Sequence, residues 1–195
     1  MKKLIVLLLC ALTLLSSAAC GSGGGAADTS APEAKTSEVA DAAVSDIVDA
    51  CVAAYSADTL PTIQYYRSGA GEDAEDYLDP GYAGVIFYDE YGADVTLLSS
   101  LDSYAMATPV GKRIFEIDIM KTKDAADNEA VLALYKERLD RKLQSDIVDY
   151  APEEYPFLKS AEYYAVGNYV IFVSTTDNTV AKGVISDMLT PSAGE

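Results

Sequence analysis

Histidine and tryptophan are both absent from the 195 residues. Without histidine there is no Ser-His-Asp or Cys-His catalysis and no imidazole-ligated zinc. Cysteine occurs three times, at Cys10, Cys20 and Cys51. Cations are scarce, with 14 Lys and Arg against 31 Asp and Glu, a formal net charge of −17. That balance argues against nucleic acid as a partner, because affinity for phosphate rests on Lys and Arg. It also argues against adhesion to anionic membrane surfaces by charge, and it favours solubility. No apolar run reaches the roughly 20 residues that a membrane-spanning helix requires.

What is present begins with an address. Lys2 and Lys3 precede an apolar run over 4–15, and Ser16, Ser17, Ala18 and Ala19 lead directly to Cys20. Basic start, apolar middle and small residues before a cut form a secretory signal. A thiol placed at once after the cut is the acceptor that lipoprotein processing needs. The lipobox has one departure, Ser17 where Leu is usual; Cys10 is a poorer candidate because bulky Leu9 precedes it. The expectation is cleavage of 1–19 and acylation of Cys20; ordinary secretion with a free Cys20 is the alternative. Two or more acyl chains anchor stably, whereas one holds only marginally. Residues 20–36, rich in Gly, Ala, Ser and Thr, then read as a flexible tether with an r.m.s. span of about 20–25 Å. Loss of Cys10 and lipidation of Cys20 leave Cys51 alone, so no disulfide framework exists within the domain.

The remaining residues, 37–190, are one domain's worth, followed by a 191–195 tail. Residues 37–55 read as a helix with Val44, Ile47, Val48, Cys51, Val52 and Tyr55 on one face. Cys51 lies inside that stripe and reads as a small buried hydrophobe. Residues 60–67 are extended. Residues 69–80 carry Glu72, Asp73, Glu75, Asp76 and Asp79 without the spacing of a calcium loop, so a solvated acidic loop is expected over a Ca²⁺ site. A helix from about Asp94 towards Tyr104 competes with a strand. Residues 114–120 alternate, with Phe115, Ile117 and Ile119 facing one way and Glu116 and Asp118 the other, as in a half-buried strand. A helix over 127–143 is marked by Val131, Tyr135, Leu139 and Leu143, with Asp127 as its cap. Residues 152–156 read as a loop, either for recognition or as a rigid connection after the long helix. Strands 161–166 and 169–174 flank Gly167-Asn168, which predicts a type II′ hairpin. A last helix covers 178–189. The fold class is α+β: an antiparallel sheet with helices packed on one face, the back half ordered strand-helix-strand-strand-helix.

The stretch 155–172, running through Ala161-Glu162 and Gly167-Asn168-Tyr169-Val170-Ile171-Phe172, resembles a family of small lipoproteins from Gram-positive, clostridia-like bacteria. That family carries domain of unknown function four-three-five-eight. The resemblance covers 112–189 well and the front half loosely. It implies a lipoprotein of a Gram-positive envelope and brings no catalytic residues.

Three constellations bear on function. Glu116 and Asp118 share a strand face; a carboxylate pair runs acid and base chemistry only when burial raises one pKa, and here both are expected to face water. Lys136, Arg138, Arg141 and Lys142 concentrate positive charge on one helix, as an anion or partner site or simply as cations complementing the helix dipole. Tyr163 and Tyr164, with Tyr65, Tyr66 and Tyr169 among 14 tyrosines, suit either a groove or half-buried core. The expectation is a non-enzymatic binding or interaction module without cofactor or metal, anchored through Cys20 on the extracytoplasmic side of the cell membrane, with an envelope protein or small ligand as partner. A peptide or sugar receptor is the alternative, and a carboxylate- or metal-dependent hydrolase the second.

Overall fold

A computed structural model describes residues 39–145, 149 and 151–191. The expected signal and the whole of the tether, Cys20 included, lie outside the described residues, as do 37–38 and, in the tail, 192–195.

Five strands form one antiparallel sheet in the order β1-β2-β3-β5-β4. They are β1 (Ile63–Arg67), β2 (Ser103–Pro109), β3 (Glu116–Lys121), β4 (Glu162–Val166) and β5 (Tyr169–Ser174). The helices are α1 (Val44–Ala53), α2 (Pro80–Tyr88), α3 (Thr96–Ser100), α4 (Asn128–Gln144), α5 (Tyr155–Lys159) and α6 (Asn178–Leu189). The α+β class, the antiparallel sheet and the back-half order therefore stand, with the short α5 added before β4.

One detail differs: helices cover both faces of the sheet. Ile117, Ile119, Ile171 and Val173 pack with α1 and α6. Met106, Met120, Val170 and Phe172 pack on the opposite face with α2, α4 and Leu158 of α5. Strand β5 carries the reason, being buried at all six positions. A strand whose residues are apolar on both sides must be covered on both sides. Glu116 and Asp118 consequently do not face water; they point from β3 towards α4 and are 4% and 0% exposed.

The front half departs most from expectation. Helix α1 begins at Val44, where Ala43 is still extended. Helix α2 starts where Asp79 accepts from the Tyr82 amide at 2.9 Å and Pro80 fills the first turn, and it stops at Asp89, whose φ is +57°. Gly84 lets the returning chain approach: a Cβ there would sit 2.3 Å from the Glu90 carbonyl oxygen. The helix expected from Asp94 is only α3, and Tyr104 already belongs to β2. Ala105, Met106 and Ala107 are good helix formers, but they occupy a strand flanked by β1 and β3, where packing overrides propensity. Helix α4 follows a short 3₁₀ turn capped by Asp124, whose carboxylate accepts from the Ala126 amide. Asp127 takes the cap position of α4 without a side-chain capping bond.

The β4–β5 turn has positive φ at Gly167 (+58°) and not at Asn168, the type II′ signature. A Cβ on Gly167 would also meet Val39 Cγ2 at 2.8 Å. Gly167→Ala is expected to lower unfolding stability by about 1–3 kcal/mol. Equal urea midpoints for variant and parent would contradict this reading of the turn.

Candidate functional site

The densest polar chemistry lies between β3 and α4. Alternation on β3 sends Glu116 and Asp118 to the α4 face. On α4 the spacing of Val131, Tyr135, Arg138 and Lys142 keeps all four on one stripe facing the sheet. Arg138 is 4% exposed and forms an ion pair with Glu116 Oε1. Its Nε donates to the Ile86 carbonyl at 2.8 Å, tying α4 to α2. The Phe87 and Phe172 rings lie 5.3 and 5.6 Å from the guanidinium. Lys142 Nζ donates to Glu116 Oε2 at 3.0 Å. The Tyr135 hydroxyl donates to Asp118 Oδ2 at 3.2 Å, and Arg138 Nη1 is 3.7 Å from the same oxygen. Asp118 Oδ1 is buried without a hydrogen-bond partner.

These contacts set opposite protonation states on neighbouring carboxyls. Burial pushes Glu116 up, but the Arg138 and Lys142 charges outweigh it and hold the group at about 2. Burial, then the Glu116 charge, push Asp118 well above the usual carboxylate range. Asp118 therefore stays protonated where Glu116 is ionised, which suits an oxygen that lacks a donor. Burial and then the Arg138 charge push Lys142 below the usual lysine value.

The signs differ in their effect on stability. A carboxyl depressed on folding stabilises above its unfolded pKa, so the Glu116 contribution is lost as pH falls from about 4.3 to about 2. A carboxyl raised on folding favours the native state only below its unfolded pKa of about 3.9, and that contribution fades as pH rises. At pH 7, Asp118→Asn should thus leave the unfolding midpoint unchanged or raise it. Glu116→Gln should lower it and flatten the decline below pH 4. A fall with Asp118→Asn as large as with Glu116→Gln would show both carboxyls ionised.

The cluster opens at one end. Glu116, Arg138 and Lys142 line a cleft of about 320 Å³ together with Tyr66, Tyr82, Ile86, Lys112, Arg113 and Ile114. The Tyr66 and Tyr82 rings stand 6.2 Å apart, tilted by 47°. Arg113, also in the lining, meets Glu154 through Nε at 2.6 Å, and Glu154, itself buried, also accepts from the Ile114 amide at 2.7 Å. Asp118 does not line the cleft. Among the described residues no group of three or more Cys, Asp or Glu side chains is placed to hold a metal ion.

Residues 97–175 match the family model described as Domain of unknown function (DUF4358). No curated protein and no solved structure matches the chain. The DUF4358 stretch runs from α3 to just past β5 and contains Glu116, Asp118, Tyr135, Arg138 and Lys142. The tyrosines of the cleft, Tyr66 and Tyr82, lie outside it. The resemblance read over 112–189 is thus met by a stretch that starts earlier and stops before α6. The description names no activity and passes none to the chain.

The other residues singled out from the sequence are dispersed. Lys136 is exposed and pairs with Asp140 at 2.7 Å. Arg141 pairs with Glu137 at 2.9 Å and donates to the Phe87 carbonyl. With Arg138 and Lys142 turned to the sheet, the four cations of α4 form no single exposed face. Tyr163 packs on the α4 side and Tyr164 on the α1 and α6 side. Tyr164 lines a second groove with Val39, Lys182 and Leu189. Cys51 is buried, its thiol 3.7 Å from the Ala181 carbonyl, and burial pushes it up to about 12, so it is not a nucleophile at neutral pH. In the acidic loop Asp76 is held by Arg67 at 3.1 Å. Sequence reasoning missed Tyr82 and Arg113, and it weighed Glu154 only as part of the 152–156 loop. The sequence signal for a buried cluster was the fall of Arg138 and Lys142 on the Val131–Tyr135 stripe.

Proposed function

We propose that the protein is a non-enzymatic binding module, displayed on the outer side of the cytoplasmic membrane by acyl chains on Cys20, and that its ligand seat is the cleft between α2, α4 and the β2–β3 connection. The observation that carries the reading is the make-up of that cleft. Two tyrosines line it together with charged groups, of which Glu116 and Arg138 are fixed by burial, and the volume is at the small end of ligand sites. Rigid aromatic walls with a few placed polar groups give orientation and selectivity at low entropic cost. Glu116 has both oxygens occupied by cations, which suits a fixed lining better than a proton-transfer group.

Native mass spectrometry on the full chain, incubated with extract of its own cell envelope, tests the seat. A reproducible added mass of a few hundred daltons, lost in Tyr82→Ala, is expected; a bare chain removes the small-ligand reading. For the anchor, Cys20→Ala should release the protein from the membrane fraction, and retention there would remove lipid as the tether. A hydrolase is a second reading, favoured by two inward carboxyls held in opposite protonation states. It requires Asp118 to reach a substrate, and turnover that survives Asp118→Asn would dismiss it.

A further inference from the structure

The cleft is an electrostatic exception in a strongly acidic chain. Of the 14 Lys and Arg, four line this one cavity: Lys112, Arg113, Arg138 and Lys142. Among the described residues the acids lining it are Glu116 and Asp89. Glu116 is not free to receive a cation, since Arg138 holds Oε1 and Lys142 holds Oε2. Asp89 is 70% exposed and stands 4.0 Å from Arg141 Nε.

Donors, by contrast, are in surplus. Among the described residues the Lys142 ammonium has one hydrogen-bond acceptor, Glu116, for three N–H groups, and its side chain is 29% exposed. Arg113 engages Glu154 through Nε and is 53% exposed, so its terminal nitrogens have no partner among the described residues. In the same cleft Tyr82 is 43% exposed and offers a ring surface, while Tyr66 beside it is buried, 9% exposed.

We infer that the cleft is built for a small anionic ligand, a carboxylate borne on a ring, with the acid received by Lys142 and Arg113 and the ring laid against Tyr82. This rests on the cleft being the ligand seat and names the class of ligand it takes. An anion adds partners to donors that lack them, and it relieves the repulsion between Lys142 and Arg138. A neutral ligand would leave both unchanged. A cation would meet Lys142 and Arg113 at the mouth.

Calorimetric titration of the full chain with three probes tests the inference: glucuronate (ring and carboxylate), glucose (ring alone) and inorganic phosphate (charge alone). Glucuronate should bind at least about tenfold more tightly than either of the others, the value of one charged hydrogen bond. Its affinity should fall as salt rises. Lys142→Gln should erase the preference over glucose, and Tyr82→Ala should weaken glucuronate and glucose alike. Tyr82 lies outside the ion cluster, so its variant stays informative if Lys142→Gln unfolds.

Glucose binding as tightly as glucuronate would overturn the anion class, while the seat itself stands. Phosphate binding as tightly as glucuronate would overturn the role of the ring. If no probe binds although envelope extract adds mass, the inference fails and the proposed function survives. If neither probe nor extract yields a complex, both fail.

Discussion

Arg138→Leu should lower the free energy of unfolding by about 3–5 kcal/mol, the cost of leaving a buried charge without its partner. The substitution strips Glu116 Oε1 of its ion pair and frees the Ile86 carbonyl that joins α2 to α4. Urea unfolding should show a lower midpoint with an unchanged slope, since the buried area hardly alters. The double variant Arg138→Leu with Glu116→Leu should recover most of the loss. Well-packed apolar residues can replace a buried pair at little cost, because desolvation of the two charges offsets much of their attraction. Lys142, partly exposed, can then turn to water. Equal midpoints for the single and double variants would mean that packing, not charge, makes Arg138 necessary.

Phe172→Ala should cost about 3–5 kcal/mol, through lost transfer energy and the cavity left behind. Phe172 is fully buried and stacks on Tyr135 with centroids 5.0 Å apart and planes 12° from parallel. Phe172→Leu, which keeps most of the volume, should cost less than about 1.5 kcal/mol. The larger substitution should also disturb the polar cluster, because Tyr135 then loses the surface that aims its hydroxyl at Asp118. The tyrosine absorbance of Phe172→Ala should therefore change in the native baseline before unfolding begins. A native spectrum identical to the parent's would uncouple the stack from the cluster.

The back half was legible because its signals are local. Period-two alternation marked β3, period-three-to-four apolar spacing marked α4 and α6, and Gly167-Asn168 marked the hairpin. The front half was less so. In α2 apolar residues surround the helix, so no face stands out, and the small residues of β2 carry a helical preference that its neighbours override. The site was half legible. Glu116 and Asp118 were correctly placed together on one side of a strand, but alternation reports only that one side is apolar. It cannot report that a helix from twenty residues on brings Tyr135, Arg138 and Lys142 to cover the other. Reading the α4 cations as a surface patch followed from their number; their positions relative to Val131 and Tyr135 held the better information.

The strand order has a kinetic consequence. Strands β2–β3 and β4–β5 are each neighbours in sequence and can close as hairpins on their own, but β3 pairs with β5, from Glu116–Ser174 to Lys121–Tyr169, across the whole of α4. That joint carries the largest loop-closure cost in the sheet and is expected to form late. While that edge is open, the carboxyls of β3 should stay hydrated beside it, and charge beside an edge disfavours pairing with another chain. The same two acids that the native state buries at a cost thus guard the strand while it waits.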